Sequence, residues 1–261
     1  MEDKNKVITT KEKSISHIGQ VEQHDNTRFF IRLNLNERVQ HMIFFICFVV
    51  LVITGFMVKI PDETVKLLVE YTGNSVFYYR SMMHRVTGTM MILVSMYHVY
   101  YLVFKPAGRR WLADMIPKPK DAKDMFFNIQ YYLGFKKEPP KFDRFCYKHK
   151  LEYLALIAGT GLMSLTGLLM WTEYAWNKFI LDVATLIHSM EAILACLAII
   201  VWHLYEVHLR PNKFPIDHMW ITGLIDEEHM KEEYPLHYKK IMEDPELKKS
   251  YVQKITSEHI S

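Results

Sequence analysis

Cysteine is scarce: Cys47, Cys146 and Cys196 are the three in 261 residues, and they are scattered. No C-x-x-C-H run is present, which excludes covalent c-type haem attachment within this chain. No cysteine cluster is present either, so an iron–sulfur centre is not expected. Cys47 and Cys196 fall inside apolar runs and read as small core residues. An excess of one charge is also missing. Lys and Arg total 32 against 29 Asp and Glu, and the two signs alternate along the chain, so nucleic-acid binding is not expected. The first 40 residues lack a short apolar stretch with a small-residue cleavage site. That predicts no removable signal peptide, with the first apolar run acting as its own insertion signal. No clear internal repeat of the kind seen in transporters appears.

What is present is apolar length. Half the residues are hydrophobic, yet mean hydropathy is −0.03, so long apolar runs must alternate with charged connections. Four runs, 41–58, 86–104, 151–171 and 184–205, each approach the 17–25 residues that cross about 30 Å of hydrocarbon as a helix. Lipid allows only helices or closed barrels to span. The expected fold is therefore an all-α integral membrane four-helix bundle. Basic residues set its orientation: seven Lys and Arg precede residue 41, twelve lie in 105–150 and eight follow residue 205, against two in 61–83 and one in 172–187. Basic segments stay cytoplasmic. The chain thus divides into a cytoplasmic N-terminal segment (1–40), a transmembrane domain (41–205) with a long cytoplasmic loop (105–150), and a cytoplasmic tail (206–261). The loop holds five of the ten prolines and a possible amphipathic stretch around 122–133. The tail has a charged helical stretch at 227–242.

The chemistry lies in histidine. Of thirteen, five (His41, His84, His98, His188 and His203) lie in or at the ends of the runs. An ionisable residue in a span is costly and marks function by default. A single one reads as a helix–helix hydrogen bond, but five at matched depths read as ligands. Fourteen residues separate His84 from His98, placing them about 40° apart around the helix and about 21 Å apart along it. Fifteen separate His188 from His203, about 60° and about 22 Å. That gap suits one haem near each membrane face. With alternating helix directions, His84 and His188 share the outer face. His203 shares the inner face with His41 and His98, either of which can complete that pair; His208, beyond the span, is a weaker candidate.

Small and charged residues accompany them. Thr-Gly pairs occur at 54–55, 87–88, 160–161 and 166–167, and Gly55 and Gly88 can let a flat macrocycle approach a helix, although ordinary helix packing also uses small residues. Arg38 and Arg85 can pair with haem propionates or simply snorkel. Glu191, three residues after His188, is either a proton-handling group or a hydrogen-bonding partner for the third helix.

The R-x-x-H with T-G further on (Arg38, His41, Thr54, Gly55) resembles the start of the gamma, or cytochrome b, subunit of membrane formate dehydrogenases, whose fold class includes the cytochrome b subunits of nickel–iron hydrogenases and thiosulfate reductases. H-S-M-E-A-x9-W-H-L-Y from His188, Gly223 and the D-E-E-H-M-K-E-E-Y-P-L-H-Y stretch from Asp226 are similar too. W-H-L-Y-E-V-H-L-R-P-x-x-F-P from Trp202 resembles diheme cytochrome b modules that serve multihaem cytochromes c. The likeness runs from about residue 32 to residue 242. It implies an inner haem between the first and fourth helices (His41, His203), an outer haem between the second and fourth (His84, His188), and His98 beside the inner haem or a quinone. The fifteen-residue spacing on the fourth helix departs from the fourteen of that pattern; a π-bulge can absorb the extra residue, and His98 with His203 stays open as the inner pair.

The resemblance implies two b-type haems and quinone, menaquinone or ubiquinone, as exchangeable substrate, with His98, Tyr97, Tyr100 and Glu206 on the quinone side. The expected protein is the electron-transferring membrane subunit of a hetero-oligomeric respiratory oxidoreductase in a bacterial or archaeal cytoplasmic membrane. Its partner is a periplasmic multihaem cytochrome c or an iron–sulfur or catalytic subunit. The alternatives are a stand-alone transmembrane reductase of the cytochrome b561 kind and a haem-free metal-binding membrane protein.

Overall fold

The computed structural model describes residues 28–73, 75–211 and 213–254. The expectation about a leader rests mainly on residues 1–27, which lie outside the described residues, as does the end of the tail. Four helices are long and apolar enough to cross a membrane. A short strand, β1 (Arg28–Ile31), precedes the first, α1 (Leu35–Phe56). Asn34 caps α1: its side chain accepts from the Glu37 amide at 3.0 Å while the Glu37 carboxylate accepts from the Asn34 amide at 2.9 Å, satisfying two otherwise orphaned donors. Helix α2 (Asp62–Thr72) fills the first far-end connection, and Gly73 at φ 73° ends it. The second span is α3 (Ser75–Phe104); α4 (Pro106–Met115) and α5 (Pro119–Tyr132) follow, each with proline at its first turn, where the missing N–H costs nothing. The third span is α6 (Tyr147–Trp171), and the fourth is α7 (Lys178–Leu197), which continues as π-helical turns through Ala198–His203 and Tyr205–Leu209.

The helices outrun the expected apolar runs. α3 begins at Ser75 instead of residue 86 and has 30 residues, about 45 Å at 1.5 Å each. Hydropathy marks only the part in hydrocarbon, whereas the first turns of α3 carry Arg80 and Arg85 and continue the helix beyond it.

α1 packs along α3 and α6 along α7, while the two hairpins touch each other little. The spanning segments bury few side chains, among them Cys47, Val94, Ala184, Thr54 and Thr166. A closed four-helix bundle buries a continuous apolar seam; here the hairpins face each other across a gap.

One end of the bundle carries a cap: the sequence reading expected a helical piece of the tail to cover this end or dock a partner, and did not anticipate the sheet. The tail folds as α8 (Met219–Thr222), β2 (Leu224–Asp226), α9 (Glu227–Glu233), α10 (Pro235–Glu243), α11 (Pro245–Tyr251) and β3 (Val252–Lys254). Its strands flank β1 in an antiparallel sheet of order β2-β1-β3, with Phe30 opposite both Ile225 and Val252. Phe30, Met230 and Ile241 are fully buried beside Ile225 and Tyr234. Pro235 divides the expected helical stretch 227–242 in two, because the residue before a proline is forced out of the helical region. Arg32 is buried in this cap; it donates to the Arg144 carbonyl at 2.6 Å and to His237 Nδ1 at 3.2 Å, and its guanidinium lies 3.9 Å over the Tyr234 ring. The long connection joins in: the Phe142 carbonyl accepts from the Leu236 amide at 3.1 Å. Gly223, at φ 77°, has no room for a Cβ, which would lie 2.3 Å from the Leu33 carbonyl oxygen. N-terminal segment, connection and tail therefore form one unit over the end where α1 starts and the fourth span finishes.

Candidate functional site

Two pairs of histidines face each other across the gap between the hairpins. At the far end the rings of His84 on α3 and His188 on α7 have centroids 6.4 Å apart. At the capped end the rings of His41 on α1 and His203 on the fourth span are also 6.4 Å apart. Two metal–imidazole bonds of about 2 Å each, plus the half-widths of two rings, span roughly this distance.

The far-end pair is held symmetrically. The Thr54 hydroxyl donates to the Val50 carbonyl at 2.6 Å. Its single proton is thereby used, so it accepts from His84 Nδ1–H, 2.8 Å away. On the other hairpin Thr166 donates to the Leu162 carbonyl at 2.7 Å and accepts from His188 Nδ1–H at 2.9 Å. Both imidazoles are thus fixed as the tautomer that leaves the Nε2 lone pair free, the arrangement of a metal-ligating histidine with an oriented second nitrogen. The glycines beside these threonines complete the match: a Cβ on Gly55 would lie 3.4 Å from His84 Cε1, and one on Gly167 would lie 3.4 Å from His188 Cε1. A repeated device that the sequence reading did not detect therefore exists: a Thr-Gly pair on the first helix of each hairpin seats a histidine on the second.

At the capped end the support is unequal. His203 Nδ1 is hydrogen-bonded to the Glu152 carboxylate of α6, whereas His41 Nδ1 is buried without a hydrogen-bonding partner among the described residues. The π-helical turns at Ala198–His203 lie within the fifteen-residue interval from His188 to His203. A π-turn takes up one residue more than an α-turn, which lets both histidines of this helix face the same gap.

The remaining sequence candidates are placed as follows. His98 uses both ring nitrogens, with Gln40 Oε1 at 2.7 Å and the Tyr153 hydroxyl at 2.9 Å. Tyr97 and Tyr100 are exposed on the bundle surface, and Tyr97 accepts from Asn36 at 2.7 Å. Glu206 is buried in an ion pair with Lys148 at 2.8 Å, with Arg210 at 3.5 Å. Arg38 donates to the Ile221 carbonyl at 2.5 Å, and its Nε is buried without a partner. Arg85 lies 5.7 Å from the Trp171 ring, in a cleft between α3 and α6. Gly88 faces Leu51, not a histidine. His208 accepts from the Asp217 amide at 3.3 Å, and Glu191 lies against the bare backbone of Gly159. Sequence reasoning missed Glu152, Gln40, Tyr153 and Trp220. A carboxylate near the start of an apolar span was a usable signal for Glu152; the other three carry none.

Four helices long and apolar enough to span, with histidines paired across the gap between two hairpins, define a helical membrane protein. The family model described as prokaryotic cytochrome b561 matches residues 32–220. The chain belongs to that family and is a membrane cytochrome b, a carrier of b-type haem in electron transport. No curated protein matches it.

Proposed function

We propose that this chain is a diheme cytochrome b that links the quinone pool to a redox partner as the membrane subunit of a respiratory oxidoreductase. The observation that carries this reading is the presence of two histidine pairs with the same 6.4 Å separation, one at each end of the bundle. His84 with His188 and His41 with His203 are the proposed iron ligands. A porphyrin supplies four nitrogens of its own, so two opposed imidazoles complete the iron. A bare zinc or copper ion wants three or four protein ligands, and among the described residues no three His, Cys, Asp or Glu side chains gather to hold one. This favours haem over the haem-free alternative.

When bound, b-type haem would supply one-electron exchange, and the two histidine pairs would hold it. The protein's part is position and potential. Thr54, Thr166 and Glu152 fix ring orientation, and the glycines keep the helix surface clear. The two hydrogen bonds of His98 favour a place beside the capped-end group over iron ligation. With Tyr97 and Tyr100 at the lipid-exposed face, it makes the capped end the proposed quinone side; Glu206, held by Lys148 and Arg210, contributes a fixed charge there. The density of Lys and Arg puts the capped end, with both termini and the 105–150 connection, in the cytoplasm of a bacterial or archaeal cell. The far end then meets a periplasmic multihaem cytochrome c or iron–sulfur subunit. A reduced-minus-oxidised spectrum with a haem-to-protein ratio tests this: two b-type haems per chain are expected, and a missing alpha band or a ratio of one rejects it.

A further inference from the structure

Six buried side-chain nitrogens among the described residues have no hydrogen-bonding partner, and three of them, Arg38 Nε, His41 Nδ1 and Trp220 Nε1, belong to one corner of the capped end. The Trp220 ring lies 6.2 Å from His41 and 6.3 Å from His208. Arg38 is one helical turn before His41 and reaches across to the carbonyl of Ile221, the residue next to Trp220. Buried donors without acceptors cost about 1–3 kcal/mol each, so the two donors in this corner call for an acceptor that the described residues do not supply. An arginine is one of the donors, so an anion satisfies the pair best; the carboxylates beside these rings are engaged elsewhere, Glu152 with His203 and Asp217 with Lys213.

On the diheme reading, we infer that Trp220 is a haem-binding residue: its indole N–H and the Arg38 guanidinium together receive a propionate carboxylate of the haem between His41 and His203. A membrane haem has two such carboxylates, and a carboxylate in a low-dielectric site needs charge-assisted donors. The consequence reaches the fold. Trp220 belongs to α8, held over α1 by Gly223, whose carbonyl accepts from the Arg32 and Leu33 amides at 2.8 and 3.2 Å. The return of the tail after the fourth span is therefore the closing wall of the capped-end haem site, and the cap and the cofactor stabilise each other.

The test uses the purified full-length protein, with haem content and two-component redox potentiometry between pH 6 and 8. Trp220→Phe keeps the ring and removes the N–H; Arg38→Gln removes the charge. Each is expected to lower the potential of one haem, because a donor or cation near the propionate favours the reduced form, with the larger drop for Arg38→Gln. The affected haem should also gain pH dependence as its carboxylate begins to titrate, while the other haem stays unchanged as an internal reference. Where Trp220→Phe loses one haem altogether, Trp220→His, which restores a donor, should recover it; equal loss in both variants overturns the inference. So does a wild-type protein with two haems whose potentials and pH slopes Trp220→Phe leaves untouched. A wild-type protein without haem rejects the underlying functional reading instead.

Discussion

At the far end both imidazoles rest on threonine hydroxyls, whereas at the capped end one rests on a carboxylate and the other finds no acceptor among the described residues. A hydroxyl is a neutral acceptor that orients a ring and does little to its basicity. A carboxylate on Nδ1–H gives the ligand imidazolate character, strengthens its donation to iron and favours the oxidised metal. On the diheme reading, the same fold would offer two haems different electronics without changing ligand type. The difference coincides with the surroundings. Among the described residues the far end has no sheet, while the capped end is roofed by β1, β2 and β3 with a buried Arg32.

The contrast is broken most severely by removing a ligand. His188→Ala should take haem content from two per chain to one and leave only the capped-end spectrum and potential. His203→Ala should do the reverse. Retention of two haems in either variant would show that the pairs do not hold iron.

Removing the carboxylate sharpens the contrast. Glu152→Gln keeps an acceptor for His203 Nδ1–H and deletes the charge. It should raise the potential of the capped-end haem toward that of the other and weaken haem retention there by about 10–100-fold, as loss of a ligand's orienting partner does. Potentiometry and dissociation into apomyoglobin measure both; an unchanged potential would rule out the electronic role of Glu152. Thr54→Val and Thr166→Val act at the other end, each leaving an imidazole N–H unsatisfied at about 1–3 kcal/mol. They should loosen the far-end haem alone, with the double variant roughly additive because the two threonines touch different rings.

Much of this was legible in the sequence. Apolar length gave the four spans, and helix geometry put the histidines at two depths. The paired device at the far end was not legible, for a concrete reason. Thr54 lies 30 residues before His84, but Thr166 lies 22 before His188, because the first hairpin's connection carries α2 and the second carries only a short turn. Similarity in space leaves no fixed period to detect. Depth did not separate His41 from His98 at the capped end; the resemblance favoured His41, and the bonding of His98 supports that reading. It is the side-chain acceptor Gln40 and donor Tyr153, residues with no signature of their own, that occupy both nitrogens of His98. The sheet of the cap was hidden for a third reason: its strands have three or four residues, and their pairing joins the first described residues to Val252–Lys254, a separation that local patterning does not reach.

The smallest expected effect separates the two ends by acid. His237 lies in the cap, and burial, aided by the Arg32 and Arg144 guanidinium groups, pushes its pKa down to about 3, with Asp143 opposing and Lys240 adding to the shift. Its Nδ1 accepts from Arg32, so the folded cap holds it neutral. Between about pH 3 and its ordinary value of 6.5, the unfolded chain binds a proton that the folded one refuses, so stability contributed by the cap falls as pH drops through that window. The far-end histidines are outside this unit. Mild acid should therefore release the capped-end haem before the far-end haem, followed by potentiometry on samples stepped from pH 7 to pH 4. His237→Gln retains an acceptor for Arg32 and does not titrate. It should flatten the pH dependence of that release, and an unaltered slope would place the acid sensitivity elsewhere.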